Sequence, residues 1–231
     1  MSQNNDHIVQ NSAVEALTVG ASYKNGWQRL WKYILELLLI TIISILIHIP
    51  SSGLSASKET EGGGAVFLGI FALAYILLLS RPIEYGVSFA YLKAARGDQL
   101  KVKDMFDVFQ NYLNAVLANL LVAVIVSIGL FLLIVPGIVF ACKLAFVPYL
   151  VVDRKMETVE AVKESWRMTK GHALKVFLIG LLAIPIAMAG LLCFGVGIIV
   201  AIMWIGIAFA SLYHAVSISG ESSDEKRETL R

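Results

Sequence analysis

Two opposite charges stand in a stretch of chain that is otherwise apolar. In "SRPIEYG", Arg81 and Glu84 are three residues apart, which puts them on one face of a helix if Pro82 permits. Buried in hydrocarbon, such a pair would line a pathway for ions or polar solutes, because charges there are costly and tend to be functional. Near a membrane interface it would be ordinary, since arginine can extend its head group toward water. Lys143 is a third isolated charge, ~9 Å of helix past Gly137. Inside a bundle it needs a partner, and Glu84 or Asn119 could supply one; otherwise it reaches the outer interface. Asn114 and Asn119 fit interhelical hydrogen bonding better than ligand binding. Arg81, Glu84, Lys143 and Asn119 are therefore the candidate intramembrane site.

A second group clusters late in the chain. Asp153 precedes "ESWRMTKGHALKVF", and Lys163, Ser165, Trp166, Arg167, Lys170 and Gly171 follow within one short segment. Asp153 can cap a helix or hold a basic neighbour. Trp166 suits an interfacial anchor, and Gly171 suits a helix stop. The chemistry is that of an anionic head group meeting lysine and arginine. Catalysis is not predicted: His7, His48, His172 and His214 form no HxxxH or HExxH pattern. No phosphate-binding loop, dinucleotide fingerprint or GxSxG elbow is present. Cys142 and Cys193 lie in apolar runs without a CxxC, so neither a metal site nor a disulfide framework is expected, and no cofactor is implied.

The elements that must position these residues follow from composition. Hydrophobic residues make up 58% of the 231, and charged residues 16%. Soluble domains carry about 25% charged residues. The net charge of +2 is too small to indicate nucleic acid. The apolar residues gather in six runs: 30–49, ended by Pro50; 65 to about 85; 113–135; 138–152, joined to its predecessor by Pro136-Gly137; 174–194; and 196–216. A membrane helix needs ~20 such residues. The fourth run is short, and Pro148 is placed to kink it.

The fold class read from this is all-α. It is a polytopic membrane protein of six transmembrane helices as three hairpins, with amphipathic interfacial helices on the cytoplasmic side. Residues 1–22 form a polar N-terminal segment, 23–216 the membrane domain and 217–231 a loose charged tail. Lysines and arginines support the topology: the N-terminal segment, the loops after the second and fourth runs, and the tail are basic. The opposite side carries Lys58. This is the positive-inside pattern, with both termini cytoplasmic.

Each pair of runs is preceded by a basic amphipathic stretch: "ASYKNGWQRLWKY", "KVKDMFDVFQNY" and "VEAVKESWRMTKG". A lysine precedes an aromatic by three residues in each (Lys24 and Trp27, Lys103 and Phe106, Lys163 and Trp166). The pattern suggests three repeats of interfacial helix plus hairpin.

"LLIVPGIVF", Lys143, "PYLVVD" and "ESWRMTKGH", with "GVSFAYLKAARGDQLKVKDMFDVF" earlier, resemble a family of uncharacterised bacterial membrane proteins. It is similar to the YciC-like proteins and to the membrane domain of some glycerophosphodiester phosphodiesterases. The resemblance spans residues 20–216 and implies a six-helix protein of the bacterial inner membrane, with no catalytic residue to carry over. Arg81 and Glu84 depart from its pattern. The reading that results is a scaffold or accessory protein whose basic cytoplasmic face meets anionic phospholipid head groups in the bilayer; that face is also open to a protein partner, which the sequence does not identify. A small transporter or channel, and a lipid-related enzyme, are the alternatives.

Overall fold

The computed structural model describes residues 18–56, 63–192 and 196–228, and these form helices joined by short turns, without a strand. Lys58, Cys193 and His7 lie outside them. In chain order the helices are α1 (Val19–Lys32), α2 (Ile34–Ala56), α3 (Gly63–Tyr75), a π-helical turn (Ile76–Ser80), α4 (Arg81–Arg96), a 3-10 helix (Val102–Asn111), α5 (Tyr112–Leu132), α6 (Ile134–Leu144), α7 (Val147–Asp153), α8 (Thr158–Met168), α9 (Ala173–Leu192) and α10 (Val196–Glu228). Five helical stretches are long and apolar enough to cross a membrane: Gly69–Arg96, Val102–Leu132, Ile134–Asp153, Ala173–Leu192 and Gly197–Gly220. A sixth is possible if the pair Val19–Lys32 and Ile34–His48, bent by 94° at Tyr33, makes one span.

Burial is uneven. The core gathers on α4, α7 and the middle of α10, where Ile83, Leu92, Leu150, Ile207 and Tyr213 are enclosed. By contrast α2, α5, α6 and α9 turn large apolar side chains outward, among them Leu35, Leu113, Phe131 (93% exposed), Val135 and Leu192. Soluble proteins rarely expose apolar patches of this extent. A hydrocarbon surrounding makes them cost nothing.

Breaks in the helices have local causes. Pro82 and Pro148 enter the first turns of α4 and α7, where the missing N–H is tolerated. Pro148 therefore divides the fourth run rather than bending it. Pro136 falls third in α6, not first, because Leu133 is extended (φ −169°, ψ 149°) and caps the helix. Gly171 has φ 81°, a left-handed value that glycine takes without strain. It closes the turn between α8 and α9.

Three expectations are corrected. Helix α2 continues past Pro50 to Ala56, and α10 continues past Val216 to Glu228, so neither ends where its apolar run does. The three basic stretches also differ from one another. The first is an α-helix set at 94° to α2, and the third is an α-helix separated from α9 by the Gly171 turn. The second is a 3-10 helix followed directly by α5, the two meeting at Asn111, whose backbone (φ −127°, ψ 39°) is not helical.

That 3-10 helix lies hard against α4. A Cβ on Gly86 would stand 1.7 Å from the Met105 carbonyl oxygen. Lys93 pairs with the buried Asp104 at 3.1 Å, and Asp104 also accepts the Lys101 amide at 2.8 Å. Gly86→Ala must therefore push the two segments apart, at a cost of about 2–3 kcal/mol or more. Thermal unfolding in detergent micelles measures this; a variant that melts with the wild type would show that the contact is not made.

Candidate functional site

Three polar constellations result. The first joins α4, α7 and α10. Arg96, in the last turn of α4, grips Asp153 at the end of α7 with two bonds, Nη1 to Oδ1 at 2.6 Å and Nη2 to Oδ2 at 2.7 Å. The Tyr213 hydroxyl of α10 donates to Oδ2 at 3.2 Å. Tyr213 is fully buried, stacked on Tyr149 at 4.9 Å and edge-on to Phe146. Asp153 thus holds a basic neighbour, the second of the roles open to it. Beside it, Asn25 of α1 donates to the Ala95 carbonyl and the Ser211 hydroxyl, and the Tyr33 hydroxyl donates to the Gly97 carbonyl at 2.8 Å. These bonds seat α1 on the ends of α4 and α10.

The second constellation explains "ESWRMTKGH". Helix α6 stops at Leu144, and a helix end leaves its last carbonyls without N–H partners. The Ser165 hydroxyl donates to the Lys143 carbonyl at 2.8 Å, and the Thr169 hydroxyl lies 3.3 Å from the same oxygen. Thr169 is also 2.8 Å from the Ser165 carbonyl, and both residues are fully buried. The Lys143 ammonium sits 4.4 Å from the Trp166 ring centroid, a cation–π contact, and Phe140 packs on the same ring. So Lys143 is met by α8. Asn119 is half-buried on α5 and makes no hydrogen bond among the described residues, while Glu84 is engaged elsewhere. In the same helix Arg167 pairs with Glu164 through Nε and Nη2, both at 2.9 Å. Lys163 and Lys170 remain exposed.

The third is a groove between α2 and α4, with a volume of about 540 Å³. Thr41, Ser44, Ile45 and His48 line it from α2, Glu84, Val87, Ser88 and Tyr91 from α4, and Ile202 from α10. Glu84 Oε2 meets Arg81 Nη1 at 3.2 Å, and Oε1 meets His48 Nε2 at 3.3 Å. The Arg81–Glu84 face expected from the spacing is therefore formed, with a histidine added. Just before it lies the π-helical turn, a form often found at functional sites. Its Ser80 hydroxyl is buried and makes no hydrogen bond among the described residues. Pro82 has no N–H for the Leu78 carbonyl four residues back, and the Tyr112 hydroxyl donates to that oxygen at 2.5 Å.

Sequence reading missed Arg96, Tyr213, Asn25 and the α2 side of the groove. A signal for the last was present. Thr41, Ser44 and His48 recur at spacings of three and four, as do Glu84, Ser88 and Tyr91, so two polar stripes face each other across apolar helices. Nothing in the spacing pairs Arg96 with Asp153, which are 57 residues apart.

Among the described residues no group of His, Cys, Asp and Glu is arranged to hold a metal ion. What the geometry defines is an all-helical protein with several helices apolar and long enough to span a membrane, tied together by polar contacts at their ends. Residues 66–222 match a domain of unknown function, DUF7847, and since this is most of the chain, the protein belongs to that family. No similarity to YciC-like proteins or to the phosphodiesterase membrane domain is shown. No curated protein and no solved structure matches.

Two outcomes follow. Asp153→Asn leaves Arg96 and Tyr213 facing a neutral amide and destabilises the fold by about 2–4 kcal/mol, less than a wholly enclosed pair because Arg96 is a quarter exposed. Unfolding in micelles measures it, and an exchange of the two charges should recover part of the loss. His172, in the turn before α9, has its pKa lowered from the ordinary 6.5, first by burial and then by Lys175. The unfolded chain therefore takes up this proton first. Stability is full above pH 6.5 and declines as the pH falls through that value toward the lower folded pKa. His172→Gln should flatten that part of the pH profile; an unchanged slope would assign it to other groups.

Proposed function

We propose that the chain is an integral membrane protein of six spans in three hairpins, in a bacterial inner membrane with both termini cytoplasmic. It acts as a scaffold or accessory protein that holds anionic lipid on its cytoplasmic face. The observation that carries this reading is the 94° bend at Tyr33. Helix α1 lies across α2 with Trp27 and Trp31 exposed, and with Lys24 and Lys32 exposed on the same short helix. Tryptophans at head-group level with lysines beside them are the composition of a helix lying in a membrane interface. Phe106, Phe109 and Tyr112 stack in a ladder beside the start of α5, and Trp166 caps the end of α6, which supplies aromatic rings at two further points.

The basic surface is smaller than the raw charges suggest. Lys93, Arg96 and Arg167 have carboxylate partners. Exposed Lys24, Lys32, Lys101, Lys103, Lys155, Lys163 and Lys170 remain for lipid. Each basic residue near an anionic leaflet contributes about 1 kcal/mol.

A transport reading that places Lys143 beside Arg81 and Glu84 draws less support. The groove is lined by Glu84 but not by Lys143, whose ammonium rests on Trp166. An enzymatic reading has no convergent set: Asp153 serves Arg96, Glu164 serves Arg167, and His172 lies in a turn.

The test uses the full chain in nanodiscs of zwitterionic lipid, challenged with vesicles containing phosphatidylglycerol. Binding is expected and should weaken by tenfold or more as salt rises from about 0.05 to 0.5 M, because the Debye length shrinks to a few ångströms. Replacing Lys24, Lys32, Lys163 and Lys170 with glutamine should weaken it similarly. Binding that ignores either the anionic lipid or the salt would defeat the proposal.

A further inference from the structure

The groove between α2 and α4 carries charges of both signs on adjacent atoms. One oxygen of Glu84 meets Arg81 and the other meets His48, at 3.2 and 3.3 Å. An ionised carboxylate offers about four acceptor positions, and a guanidinium has five N–H donors. Each of these charged groups therefore keeps bonding capacity after pairing, and both are about half exposed. Ser44 and Ser88 add hydroxyls to the lining, while Ile45 and Ile202 make it apolar beside them. About 540 Å³ lies within the range of small-molecule sites, ~300–1,000 Å³.

A simple anion would meet Glu84 beside Arg81, and a simple cation would meet Arg81 beside Glu84. Like charges are penalised strongly where water is scarce. A molecule with both charges a few atoms apart avoids both penalties. It must also tolerate the isoleucines, and the exposed apolar neighbours Ile42 and Leu46 continue the apolar surface of α2.

We propose that this groove is a binding site for a zwitterionic phospholipid head group bearing a primary ammonium. The ammonium donates to Glu84, the phosphate accepts from Arg81, and an acyl chain leaves past Ile45 and Ile202. Phosphatidylethanolamine has this chemistry. Phosphatidylcholine lacks the N–H donors, and phosphatidylglycerol lacks the cation. The inference rests on the membrane reading above but concerns a different face from the lysines of α1 and α8.

The test reconstitutes the full chain in nanodiscs of phosphatidylethanolamine, phosphatidylcholine and phosphatidylglycerol in equal amounts. Lipids retained after partial delipidation are identified by native mass spectrometry. The wild type should keep phosphatidylethanolamine over either competitor by about tenfold, the worth of one charge-assisted hydrogen bond. Glu84→Gln should bring it level with phosphatidylcholine. Ile202→Trp, which fills the groove without touching a charge, should release it even if the first variant folds poorly. Soluble glycerophosphoethanolamine should displace the bound lipid, whereas inorganic phosphate should not. Equal retention of the three lipids, a preference that survives Glu84→Gln and Ile202→Trp, or displacement by inorganic phosphate alone would each overturn the assignment. Vesicle capture by the same preparation reads the lysine face independently, so the two proposals fail separately.

Discussion

A backbone carbonyl surrounded by apolar side chains favours a donor, and among the described residues most of the side-chain hydrogen bonds between helices go to such carbonyls. The Lys143 oxygen, at the end of α6, is taken by Ser165 and Thr169. The Leu78 oxygen, which Pro82 leaves without its usual amide, is taken by Tyr112. Tyr23 donates to Ile179, Tyr75 to Ile47, Tyr33 to Gly97, Asn111 to Val151, and Thr158 accompanies Asn114. In each case a side chain on one helix donates to a backbone carbonyl on another. A buried unpaired carbonyl costs a few kcal/mol, so these donors select how the helices pack, which apolar contacts alone would leave loosely specified. They also explain why tyrosine, serine and asparagine occur inside segments that are otherwise hydrocarbon.

The same economy governs charge. Buried or half-buried ions are held in pairs between different elements: Arg96 with Asp153 and Lys93 with Asp104. What is left over divides into two surfaces of different character. One is the exposed lysine and tryptophan face of α1 and α8, suited to a broad anionic layer. The other is the α2–α4 groove, where Glu84 between Arg81 and His48 presents both signs at once and suits a single molecule.

Much of this was legible in the residues. The apolar runs located the helices, though not all of their ends, since a bilayer-length stretch of leucine, isoleucine and valine has few other uses. Gly171 and Pro148 marked breaks for reasons internal to their own backbones. Arg81 and Glu84 shared a face because helix geometry puts i and i+3 together. Where the reading went astray, the cause was nonlocal. Lys143 was left between a carboxylate or an amide inside the bundle and the outer interface, but its ammonium lies on the face of Trp166, a contact that depends on how α8 folds back on α6. The second basic stretch was taken for a flat interfacial helix, yet Gly86 lets it settle onto α4 as a 3-10 helix.

By itself, then, the sequence determined that this chain is helical, apolar enough for a membrane and basic on one set of loops, because composition and spacing act locally and need no knowledge of neighbours. Only the tertiary structure decided which donor meets which carbonyl, that Asp153 belongs to Arg96, and that His48 joins Glu84 in a groove. Those are matters of distance between residues far apart in the chain. An apolar helix can pack on its neighbours in many ways, and the few polar atoms that must be satisfied choose among them.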